Sequence, residues 1–355
     1  MSTTRCRVLA LLALLLPILG AVTQAPALEW VPIDDPGNPP DDEISCRLDE
    51  LCVANLGSVP YRFQISKYET TNAEYVEFLN AVAASDPNGL FNPAMQTNPK
   101  LLTEIIRLGS AGSYTYAVAS GRDQYPVRFI DYFRALRFAN WLHNGKPTGP
   151  QDATTTEDGA YTLLGANPLD VQRNAGAHFW LVNEDEWYKA AYYDPSIAWY
   201  WDQATGSDAY PVGEPPPGGA NSANLCPLPW TVGGPASCEP GVSMGPDEPT
   251  AVGAYIDSPS PFGTHDQAGN VFEFVEDRMH EDTAVVRGSA YHRGPFDASV
   301  LLRTYAPMVC QGCERSGFRL GTQPVPEPGR LALQLSATLA VAAIARRARG
   351  RSRQL

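Results

Sequence analysis

Between residues 195 and 265 the chain runs through a Pro- and Gly-rich stretch with few periodic segments. Such a run is uncommon inside a compact domain and has to be pinned by disulfides, a metal or aromatic packing. The expected pins are Cys226, Cys238 and a metal site in the residues that follow. The chain carries 32 Pro, 30 Gly and 16 Tyr, and 44% of its residues are hydrophobic. That is enough to bury a core, and it argues against both disorder and a helical bundle. The expected class is an irregular α+β domain with few short strands, about three helices and much ordered loop.

Local signals place the helices. Thr71 and Glu74 form a T-x-x-E capping box, and Tyr75, Phe78, Leu79 and Val82 follow at helical spacing, which predicts a helix over 72–84. Asp131 caps a second, 132–143, with Ala135, Phe138, Ala139 and Leu142 as its apolar stripe. Asn183 caps a third, 184–193, whose first turn is acidic and which turns Trp187, Ala190 and Ala191 inward. A strand pair is expected within 57–69, and short strands near 271–275, 284–288 and 317–320.

The two ends carry addresses. Arg5 and Arg7 precede an apolar run, Val8 to Val22, and Ala25-Pro26-Ala27 offers a small-x-small cleavage site, so residues 1–27 are expected to be a signal peptide. At the other end Val325-Pro326-Glu327-Pro328 leads into apolar Leu331 to Ala345 and then an arginine cluster. This resembles the PEP-CTERM sorting signal, and the resemblance implies exosortase-type processing at the inner membrane. The apolar segment spans about 22 Å as a helix, short of a roughly 30 Å hydrocarbon core. One domain is therefore expected over 28–323, with a sorting or anchor segment at 325–355. The protein is expected in the periplasm, on the cell surface or outside the cell.

Six cysteines remain once Cys6 leaves with the signal, and an even number in an exported chain suggests disulfides. Their three local couples suggest 46–52, 226–238 and 310–313. The formal charge is -13, and seven of the basic residues sit in residues 1–27 and 346–353, so the domain itself is more acidic still. Such a surface repels phosphate backbones and disfavours nucleic acid as a partner. Nucleophile elbows, P-loops and dinucleotide fingerprints are absent.

A series of motifs runs in order along 30–321. Residues 62–80, Tyr125-Pro126-Val127-Arg128, and Phe179 through Trp187 to Ala191 come first. Gly269-Asn270-Val271-Phe272-Glu273-Phe274, Arg287-Gly288-Ser289 and Gly317-Phe318-Arg319 follow. Together they resemble the formylglycine-generating enzyme (sulfatase-modifying factor) family. The resemblance implies a variant of the C-type lectin fold, and it implies calcium. Asp266, the carbonyls of Gly269 and Val271, and Glu273 place hard oxygens at a spacing one loop can wrap round Ca²⁺. The competing reading is a strand entrance where Asp266 caps a turn and Glu273 pairs with an arginine. A second calcium site would begin at Asn224 and Leu225.

The family's enzyme oxidises a substrate cysteine with copper held by a cysteine pair just after the R-G-G-S strand. Here that strand is followed by Ala290-Tyr291-His292-Arg293-Gly294, and the first cysteine's register falls on or next to His292. One imidazole does not reproduce a two-thiolate copper site. His292, Cys310 and Cys313 are the catalytic candidates that remain. The five histidines show no iron-binding cluster, so neither copper nor iron is expected. The expected function is a calcium-stabilised binding or envelope-associated module with a peptide or glycan ligand, with Trp199, Tyr200, Trp201 and Tyr291 as candidate contacts. The alternative is a metal-dependent modifying enzyme of the same family.

Overall fold

The computed structural model describes residues 28–43, 45–46, 52–97, 103–165, 170–227, 248–310 and 313–324. The expected signal peptide, the expected sorting segment and Cys238 lie outside them, as does the side chain of Cys46.

Four α-helices occur among these residues: α1 Asn72–Val82, α2 Ala94–Thr97, α3 Tyr132–His143 and α4 Glu184–Tyr192. Three begin where local chemistry puts them. The Thr71 hydroxyl accepts from the Glu74 N–H while the Glu74 carboxylate accepts from the Thr71 N–H. Asn183 and Glu186 close a second reciprocal box on α4, and Asp131 caps α3 by accepting from the Arg134 N–H. Each cap is worth about 1 kcal/mol. The apolar stripes face inward as their spacing requires. Phe78 of α1 meets Phe138 of α3 edge-on at 5.3 Å, and Phe138 meets Phe318 the same way at 5.3 Å. All three are buried, contributing about 2 kcal/mol or more apiece.

Two four-stranded sheets frame the core. The first runs Trp30–Ile33, Phe63–Ser66, Leu320–Thr322, Phe179–Leu181, antiparallel throughout. The second runs Thr304–Pro307, Thr283–Arg287, Phe272–His280, Ser316–Phe318, and its last pair is parallel. The chain steps from one sheet to the other across a single residue, Arg319, which is fully buried. Gly321, just beyond the step, lies flat against the Trp180 indole, where any Cβ would collide.

Two expectations are corrected. Residues 57–69 hold one strand, not a pair, because Phe63–Ser66 finds its partners at the two ends of the domain. A hairpin of Ile105–Leu108 with Thr115–Val118 was not expected at all. The 195–265 stretch is irregular as anticipated, its described part holding only two-residue strands. Cys226 within it is disulfide-bonded.

Candidate functional site

The entrance to the Phe272–His280 strand gathers the residues expected to hold calcium. Asp266 and Asn270 both adopt left-handed backbone, φ +67° each. Asp266 accepts from the Gly253 N–H at 2.7 Å. Asn270 ties three segments together: its N–H donates to the Asn224 carbonyl at 3.0 Å, its Oδ1 accepts from Asn224 Nδ2 at 3.0 Å, and its Nδ2 donates to Glu69 at 2.7 Å. The two expected ligand sets thus meet. Asn224, Asp266, Gly269 and Asn270 line one small pocket of about 10 Å³, room for roughly one water-sized sphere. Gly269 is required there, since a Cβ would come within 2.5 Å of the Asn224 carbonyl oxygen. Asn224 Oδ1 is buried without a hydrogen-bond partner.

Glu273 sits differently. Its two carboxylate oxygens accept from Arg319 Nε at 2.5 Å and Nη2 at 2.7 Å, and the Trp187 indole N–H adds a third bond at 2.8 Å. Val271 uses its N–H on Glu69 at 3.1 Å. The Leu225 carbonyl lies over Gly213, where a Cβ would be 2.5 Å away. The donors that fit a hard cation are therefore Asn224 Oδ1 and the Asp266 carboxylate beside Gly269, while Glu273 is committed to its arginine.

Carboxyl groups outnumber their partners in this region. Glu69, Asp266 and Glu273 are buried around one guanidinium, Arg319. Burial, and then the charges of Asp266 and Glu273, hold the Glu69 carboxyl well above the usual carboxylate range. Burial likewise pushes Asp266 up to about 6, against the pull of the Gly253 N–H and Arg319. Sequence reading missed Glu69, which stands two residues before the Thr71 cap, in a segment parsed only for its helix start.

A second cluster surrounds His292, the residue on or next to which the sequence resemblance sets the first catalytic cysteine. Its ring meets Phe272 at 6.1 Å and Tyr291 at 5.6 Å, both edge-on. Burial, then the charges of Arg315 and Arg293, push its pKa down to about 3, so the imidazole is neutral at pH 7. Nearby Asp297 is pushed up to about 6 by burial and pairs with Arg293 at 3.4 Å. Tyr291 is only 4% exposed, so it is no surface aromatic; Trp199, at 56%, is. Tyr200 and Trp201 are half-buried. Arg315 escaped sequence reading because it lies just outside the Gly317-Phe318-Arg319 motif.

Cys310 and Cys313 are bonded to each other, with Cα atoms 5.6 Å apart. Neither is a free thiolate. Cys52 is also disulfide-bonded, and strand pairing sets Cys46 opposite it. Among the described residues no group of three or more His, Cys, Asp or Glu side chains is arranged to hold a metal ion.

Similar solved structures include a crystal structure of CarF, at 17% identity and TM-score 0.49, covering 84% of this chain and 99% of that one. PvdO from Pseudomonas aeruginosa is 19% identical, with TM-score 0.41 and coverage of 82% and 100%. Treponema denticola variable protein 1 is 16% identical, with TM-score 0.46 and coverage of 83% and 95%. No curated protein matches the sequence. Residues 55–323 match the FGE-sulfatase family, the sulfatase-modifying factor enzyme 1-like domain, and the chain belongs to that family.

Proposed function

We propose that this is an exported, calcium-stabilised module that binds a peptide or glycan or serves at the cell envelope, without copper-dependent oxidation of cysteine. One observation carries the reading: where the family's oxidase needs a soft thiolate pair, this chain offers a neutral imidazole, His292, and its nearest later cysteines are bonded to each other. Cu(I) is held by soft sulfur donors, and a lone imidazole among guanidinium groups does not replace them.

The calcium half of the proposal rests on charge. Glu69, Asp266 and Glu273 crowd one guanidinium, and the repulsion that raises Glu69 and Asp266 is what a divalent cation beside Asp266 would relieve. Asn224 Oδ1 and Asp266, beside the Gly269 backbone, would hold the ion. The ion would supply structural rigidity, fixing the loop around Asn224 against the strand entrance. The signal-like N-terminus and the PEP-CTERM-like tail support export and exosortase-type processing.

The test is thermal melting of the purified chain in chelator and in calcium. The proposal expects a rise in Tm with calcium that Asp266→Asn abolishes. Identical curves with and without the ion would remove the calcium half of the reading.

A further inference from the structure

Beside His292 the structure leaves several buried polar atoms without partners. His292 Nδ1, the Tyr291 hydroxyl, Arg293 Nε and Arg315 Nε all lack a hydrogen bond. Groups shielded from water are nearly always paired, because an unmade bond forfeits their hydration with no return. His292 is only 9% exposed and Tyr291 only 4%. The backbone holds these residues close: the Phe272 N–H donates to the Arg315 carbonyl at 2.9 Å, and the Arg293 N–H to the Ala290 carbonyl at 2.7 Å. Both arginine side chains remain about one-third exposed, which leaves a way in from solvent.

We infer that Tyr291, His292, Arg293 and Arg315 form a binding site for an oxyanion, a carboxylate or sulfate group carried by the ligand. Two guanidinium groups repel a cation, so the free imidazole nitrogen is not a metal ligand here. The same two groups, with a phenol O–H, present the donors that a planar or tetrahedral oxyanion accepts. The chain's net charge of -13 makes non-specific anion binding unfavourable, so capture has to come from these local donors. Arg293 faces the Asp297 carboxylate through Nε at 3.4 Å without closing a hydrogen bond, and Arg315 meets Glu314 through Nη2 at 3.2 Å, which leaves Arg315 Nε unused. Phe272 supplies an apolar wall against the imidazole.

The inference deepens the binding-module reading by giving it a ligand class, and the two fail separately: calcium is read from Tm, the anion from the imidazole. The purified full chain is titrated at constant ionic strength with sulfate and, separately, with glucuronate. The His292 imidazole resonances are followed by NMR, assigned by their loss in His292→Gln. A saturable shift is expected, weakened roughly tenfold by Arg315→Gln. Tyr291→Phe is expected to weaken it too, with Tm little changed. Tighter glucuronate binding assigns a carboxylate ligand, tighter sulfate binding a sulfuryl ligand. No saturable shift with either anion, or an undiminished one in the Arg293→Gln/Arg315→Gln double variant, overturns the assignment.

Discussion

Arg319 closes a two-point fork on Glu273, with both side chains completely shielded from water. The arginine lies at the single-residue step between the two sheets, and the glutamate lies on the longest strand of the second. The pair therefore fixes how the sheets meet, and Trp187 of α4 locks the same carboxylate from a third direction.

Removing one member of a buried pair leaves an uncompensated charge. Arg319→Met strands Glu273 beside Glu69 and Asp266 and is expected to cost about 3–5 kcal/mol, read as a lowered denaturant midpoint. A loss within experimental error would mean that the carboxylates take up protons and need no guanidinium.

The Glu276 carboxyl is pushed up to about 7 by burial, against the pull of Arg173. Its folded state holds a proton that the unfolded chain releases near pH 4.5. This group's contribution to stability therefore falls as pH rises from about 4.5 to 7, by up to about 3 kcal/mol, and is flat above. Glu276→Gln is expected to flatten that slope in melts taken across the range.

The Cys310–Cys313 bond closes a very short loop. Chain entropy then gives about 2 kcal/mol, and the Cys310→Ser/Cys313→Ser variant is expected to lose about that much without change of fold. A far larger loss, or loss of the native near-UV spectrum, would show that the bond holds more than its own loop.

Helix starts were legible because a cap is a conversation between neighbours. Thr71 with Glu74, Asp131 with Arg134, and Asn183 with Glu186 are all three residues apart. Strand partners were not, because Phe63–Ser66 pairs with Leu320–Thr322 across most of the chain. The Ile105–Leu108 hairpin was missed for a different reason: one of its strands carries Leu108, 56% exposed, so alternation is weak even with Gly109 at the turn. The irregular, C-type-lectin-like α+β class came through on ordered motifs. Burial of Tyr291 and the reach of Arg315 did not, since Tyr291 is bonded back to Asn270 and Arg315 is placed by the pairing of Phe272 with Ser316, and no local pattern encodes either.

The most direct test of the account offers a sulfatase-type cysteine peptide to the purified chain with copper and oxygen, with a family oxidase converting the same peptide alongside, and reads intact mass. The account predicts that the peptide's cysteine survives unchanged. Conversion to the aldehyde would contradict it, and would require a copper site built without the free thiolate pair that this chain lacks at His292 and Cys310–Cys313.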